Sequence, residues 1–148
     1  MGYTFDFFVA ELRCPRCGHV SSADAATNMQ TKIRDDPELA SLGVGSAIEI
    51  DPATVPDAGY YLVQPPGDTI RIIDTWACPT CDFYPNWAEI VVRGGHIESI
   101  TAVPLDRETL ERVHFIYQDV YDIAADLAGR KYPDVSVDEV VPILRQFL

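Results

Sequence analysis

The four cysteines are the residues best equipped for chemistry. They fall in two pairs, Cys14-Pro15-Arg16-Cys17-Gly18 and Cys78-Pro79-Thr80-Cys81-Asp82, with none left over. Cysteines so spaced serve disulfides, thiol redox chemistry or metal binding. The start of the chain, Met1-Gly2-Tyr3-Thr4-Phe5-Asp6, has neither the basic stretch nor the small-residue cleavage site of a secretory signal. A cytoplasmic location is therefore expected, and there thiols stay reduced and disulfides are disfavoured. A thioredoxin-like redox motif uses one Cys-x-x-Cys pair in a βαβ setting, whereas strand-like sequence flanks both pairs here. Metal binding remains.

The spacing has a mechanical reason. Two intervening residues let the chain turn tightly enough for both sulfurs to face one point, and Pro15 and Pro79 stiffen that turn by fixing φ. The residue after the second cysteine favours a left-handed backbone, which Gly18 supplies without strain and Asp82 tolerates less comfortably. Two such knuckles place four thiolates in a tetrahedron about 2.3 Å from a metal, a closed site with no open position for substrate or water. The expected cofactor is one Zn²⁺ of structural role, held by Cys14, Cys17, Cys78 and Cys81, with iron in the same geometry as the alternative. These Cys-Pro-x-Cys pairs resemble the zinc-ribbon and rubredoxin-like superfamily. That resemblance implies a knuckle at the tip of each of two β-hairpins, and in rubredoxin-like members an iron that transfers electrons. It covers the knuckles and their flanking strands, while the insertion between Cys17 and Cys78 is far longer than a minimal ribbon uses and the second knuckle lacks the usual glycine.

The elements that must position the knuckles read as an α+β fold in one domain, residues 1–148: an antiparallel β-sheet and zinc-ribbon core over 1–104, then a mostly helical 105–148. Thr4 to Arg13 predicts a strand entering the first knuckle, and His19 to Lys32 a strand leaving it. Asp36-Pro37-Glu38 predicts a helix from Pro37 to Leu42, stopped by Gly43. Val44 to Ile50 reads as a strand and 51–59 as a loop. Gly59 to Val63 and Thr69 to Ala77 are strands, the latter delivering the chain to the second knuckle. Asn86 to Arg93 and His96 to Val103 form a hairpin across Gly94-Gly95. On this reading the metal pins the first strand pair to the fifth and sixth.

After Asp106, an N-cap with Leu105 and Leu110 as hydrophobic staple, the residues Leu110, Val113, Tyr117, Val120, Ala124 and Leu127 recur at helical spacing. They predict one long amphipathic helix ended by Gly129. Its opposite face carries Glu108, Glu111, Asp119, Asp122 and Asp126, with Phe115 in their midst. An aromatic ringed by carboxylates is how a surface would grip a basic partner. The competing accounts are a solvated acidic face, or Phe115 packed under the chain terminus. Ser136-x-x-Glu139 predicts a short terminal helix that Pro142 should kink or delay. His19 reads as an ordinary strand residue, His96 as an exposed turn residue and His114 as packing at the stripe edge. Trp76, Phe83, Tyr84 and Trp87 bracket the second knuckle as its expected apolar shield.

Composition narrows the function. The 148 residues are 47% hydrophobic and 23% charged, with a net charge of −12, as in a globular domain able to bury a core. Four thiolates on one Zn²⁺ would add a further −2. No apolar run spans a membrane. There is no Gly-x-Ser-x-Gly elbow, phosphate loop or His-Glu-x-x-His motif, and no catalytic residue is assigned. The acidic field repels nucleic acid and attracts basic proteins. The expectation is a non-enzymatic protein acting by protein–protein interaction. In size, charge and architecture it resembles bacterial immunity proteins or antitoxins that neutralise a basic partner. The alternative is a zinc-ribbon nucleic-acid-binding or transcription-associated protein.

Overall fold

A computed structural model describes residues 5–34, 38–130 and 135–148. Strands β1 (Asp6–Phe8), β2 (Gln30–Thr31) and β3 (Ser41–Leu42) form a small sheet in the order β2-β1-β3. Strands β4 (Tyr60–Leu62), β5 (Thr69–Trp76), β6 (Asn86–Arg93), β7 (His96–Val103) and β8 (Phe115–Tyr117) form a larger one in the order β4-β8-β5-β6-β7. Three helices complete the α+β architecture: α1 (Arg107–Arg112), α2 (Val120–Leu127) and α3 (Val137–Phe147).

The central strands of the larger sheet are largely buried on both faces. Along β5, Ile72 and Trp76 point into one apolar cluster, shared with the small sheet and with Cys14 and Cys78, while Ile73 points into a second cluster with α2 and α3. β8 splits the same way, Phe115 to the first cluster and Ile116 to the second. The period of two along a strand produces this division. The β6–β7 hairpin closes across Gly94 and Gly95, both at positive φ (59° and 76°), the backbone a two-residue hairpin turn demands.

Several expectations give way to long-range pairing. Of the strand over Thr4 to Arg13, Thr4 lies outside the described residues, and the rest forms β1 alone, followed by an isolated Arg13–Val20 bridge. The strand over His19 to Lys32 shrinks to β2, because Asp24 caps a 3-10 turn at Ala25–Thr27 that closes on Asn28. Of the helix from Pro37 to Leu42, Pro37 lies outside the described residues, and Ser41–Leu42 is instead β3, parallel to β1. Six residues make a poor helix on their own, and burying Leu42 at 3% exposure decides the outcome. Val44 to Ile50 is irregular apart from a bridge between Ala47 and His96, and the 51–59 loop carries a 3-10 turn at Val55–Ala58.

The largest correction concerns the long amphipathic helix. Asp106 does cap a helix, accepting from the Thr109 N–H at 2.8 Å, and that hydrogen bond first of all holds its carboxyl below the usual range. That helix, α1, ends at Arg112. The chain then runs extended as β8, antiparallel to β4 and parallel to β5, before α2 begins. A strand buried on both faces is apolar on both sides, so Phe115, Ile116 and Tyr117 mimic a widened helical stripe. α3 starts as expected, with Ser136 and Glu139 in a reciprocal capping box. The expected kink or delay at Pro142 is not a delay, since α3 begins at Val137 and continues to Phe147. The carbonyl that Pro142 leaves without a helical N–H partner is that of Asp138, an exposed residue.

One buried carboxylate was not read from the sequence. Asp74 on β5 is fully buried, accepts from the Tyr60 hydroxyl at 2.8 Å and from the Thr75 N–H at 2.7 Å, and Tyr60 in turn meets the Thr31 hydroxyl at 2.6 Å. Burial, only partly offset by those two hydrogen bonds, pushes its pKa from 3.8 up to about 8. The folded state thus keeps a proton that the unfolded chain releases near pH 4. Asp74's contribution to stability therefore falls as pH rises between about 4 and 8. Asp74→Asn removes that titration. We expect the variant's melting temperature to lose this decline and to exceed the parent's at pH 8, as thermal scans at several pH values will register.

Candidate metal centre

The second knuckle is the connection between β5 and β6, which pair without interruption from Thr69–Arg93 to Trp76–Asn86. The first lies between Arg13 and Val20, whose bridge closes the turn. Local hydrogen bonding is the same in both. The Cys14 N–H donates to the His19 carbonyl and the Gly18 N–H to the Cys14 carbonyl, both at 2.9 Å. The Cys78 N–H donates to Phe83 at 3.1 Å and the Asp82 N–H to Cys78 at 2.9 Å. Gly18 (φ 77°) and Asp82 (φ 59°) both adopt the left-handed backbone the spacing calls for. The Arg16 guanidinium lies over the Phe83 ring at 5.1 Å, so the knuckles also touch through their side chains.

The four sulfurs converge. Cys14 and Cys81 Sγ are 3.7 Å apart, Cys17 and Cys78 Sγ 3.6 Å, and all four lie within 4.8 Å of one another. Sulfurs at the corners of a tetrahedron with 2.3 Å bonds stand roughly 3.8 Å apart, so the set fits a four-coordinate metal ion. None of the four forms a disulfide. Cys14 and Cys78 are buried, Cys17 and Cys81 exposed.

Electrostatics agree with a cation-shaped site. Burial pushes the Cys14 thiol up, but the N–H groups of Cys17 and Arg16 and the neighbouring thiols outweigh it and bring it down to about 6. The N–H groups of Cys81 and Thr80 lower Cys78 against its burial. At Cys81 the Phe83 N–H pulls down, yet burial and the other three thiols push it up to about 12. Four thiolates this close resist ionising together, and a divalent cation is what permits it.

Among the described residues no other group of histidine, cysteine and carboxylate side chains could hold a metal. His19 is exposed and stands outside the cluster, serving it through its carbonyl. His96 is exposed, its ring 3.1 Å from the Gly94 carbonyl. His114 accepts from the Arg71 N–H at 2.9 Å, and burial, then the Arg71 charge, lowers its pKa.

The six residues expected to share an acidic helix face do not share one. Glu108 and Glu111 are exposed on α1, and Asp122 and Asp126 are exposed on α2. Asp119 is half-buried just before α2, where it accepts from the hydroxyls of Tyr84 and Thr75. Phe115 is completely buried on β8. Two buried acids with ion-pair partners also went unread: Asp6 with Arg34 (2.7 Å), and Glu89 with both Arg112 (2.8 Å) and Arg71 (3.3 Å). An acidic residue inside an apolar strand, as at Asp74 and Glu89, was the available signal. No helix among the described residues is long and apolar enough to cross a membrane. No protein-family model, curated protein or solved structure matches this chain.

Proposed function

We propose that the protein is a non-enzymatic, zinc-stapled binding domain that docks through its acidic surface onto a basic macromolecular partner, in the manner of an immunity or antitoxin protein. All four positions of a tetrahedral ion would be filled by cysteine sulfur, which suits a structural role and leaves none for a substrate. The observation that carries the docking reading is the net charge of −12, displayed in part by the exposed Glu108, Glu111, Asp122 and Asp126. A field of that sign accelerates encounter with cationic surfaces and is screened by salt. Affinity capture from the source cell at low salt, with eluates identified by mass spectrometry, tests it. A basic protein retained at 50 mM salt and released at 500 mM is the expected result. Recovery of DNA or RNA with no protein partner, or of nothing, would sink it.

A further inference from the structure

Resting on that docking reading, we propose where the partner engages: an extended segment of the basic protein adds to the outer edge of β7 and sets one bulky apolar side chain into the groove beside the metal centre. β7 is an edge strand of the larger sheet. Its first part is covered, since Gly45 N–H donates to the Ile97 carbonyl at 2.7 Å and Ile97 N–H to Ser46 at 2.9 Å. From Glu98 to Val103 no described segment other than β6 hydrogen-bonds to the backbone. A sheet edge left open is a template for another strand, and strand addition is a recurring mode of peptide recognition.

The groove lies at the open end of that edge. It encloses about 480 Å³ and is lined by Pro15, Trp76, Phe83, Trp87, Ala102 and Val103, with Arg13, whose guanidinium also donates to the Gly18 carbonyl at 3.2 Å. That volume falls in the range of ligand pockets, and the wall is predominantly apolar and aromatic. Ala102 and Val103 belong both to the open edge and to the groove. Side chains of an added strand alternate between faces, so a residue on the Ala102 face of the sheet is placed to enter it, while its neighbours face the other way. Backbone hydrogen bonds supply a register and the groove supplies an anchor.

Charge selects the occupant. A second copy of this chain at the same edge would bring −12 against −12, and that repulsion opposes self-pairing through β7. A segment with lysine or arginine on its other face is attracted instead.

The test uses the full-length protein as purified and a seven-residue peptide, acetylated and amidated, alternating lysine with valine around a central tryptophan. Backbone amide shifts and hydrogen exchange are followed by NMR at 50 mM salt. The expected result is saturable binding that moves the Glu98–Val103 amides and slows exchange there at least tenfold. Methylating every peptide nitrogen, or replacing its lysines with glutamate, should each weaken binding at least tenfold. Ala102→Trp, a change at an exposed position that fills the groove, should weaken it at least fivefold while the melting temperature stays within a few degrees. Equal binding of the methylated peptide would overturn the proposal. So would a peptide-free dimer with those amides already protected, which would assign the edge to a second copy. Binding of the basic peptide at another face overturns the edge assignment and leaves the acidic-docking reading standing, whereas failure to capture any basic protein removes that reading itself.

Discussion

Cys17→Ser is expected to destabilise the protein as strongly as Cys14→Ser, although Cys17 is exposed and Cys14 is buried. Were the cysteines merely small apolar residues, only the buried pair would matter, and a change at an exposed side chain would cost within about 0.5 kcal/mol. If all four sulfurs hold one ion, each is an equal corner of the same site. Structural zinc contributes on the order of 10 kcal/mol in zinc-finger peptides, against a total stability of about 5–15 kcal/mol for a domain. A domain of this size has apolar clusters of its own to fall back on, so a loss of roughly 5 kcal/mol is expected, lowering the melting temperature by about 10–20 °C. Thermal melting of both variants beside the parent gives the comparison. The damage should be greatest where the knuckles join the first cluster, around Leu12, Trp76 and Phe83, and least in the β6–β7 hairpin, whose pairing is local.

Phe115→Ala is expected to cost about 3–5 kcal/mol in urea denaturation, the range for emptying a buried aromatic site. Phe115 has no exposed surface and packs in the first cluster with Ile72 and Tyr60. An anchor on an acidic helix face would give the opposite result, a near-neutral change in stability. Glu111→Ala, at an exposed position of α1, serves as the control and should stay within about 0.5 kcal/mol.

The contrast between these two sites shows what could be read from residues alone. The knuckles were legible because metal chemistry restricts both residue type and spacing, and the required backbone appears as Gly18 and Asp82. The Gly94-Gly95 hairpin and the Ser136/Glu139 capping box were legible because each is closed by neighbours in sequence. Phe115 was not. The stretch from Val113 to Tyr117 has an apolar run that serves a helix stripe or a doubly buried strand equally well, and the deciding partners, β4 and β5, lie more than forty residues away. β3 failed for the same reason, since two residues carry no periodicity and its pairing to β1 is a long-range event. Asp74 stayed hidden because its burial depends on Tyr60 and Thr31 arriving from two other strands.

The loss of the long helix also reshapes the proposed docking surface. Glu108 and Glu111 on α1 and Asp122 and Asp126 on α2 are exposed, the two pairs separated by a buried strand, while Asp119 is half-buried and Phe115 belongs to the core. Partly accessible aromatic surface lies instead beside the four cysteines, where the half-buried Phe83 and Trp87 line the groove at the end of β7.

Cys14, Cys17, Cys78 and Cys81 are proposed to hold one zinc ion together. Elemental analysis combined with X-ray absorption at the zinc edge, on protein purified without added metal, measures it most directly. One zinc per chain with four sulfur neighbours at about 2.3 Å is the expected result. Iron in the site, or a metal-free protein with four freely titrating thiols and an unchanged melting temperature, would contradict it.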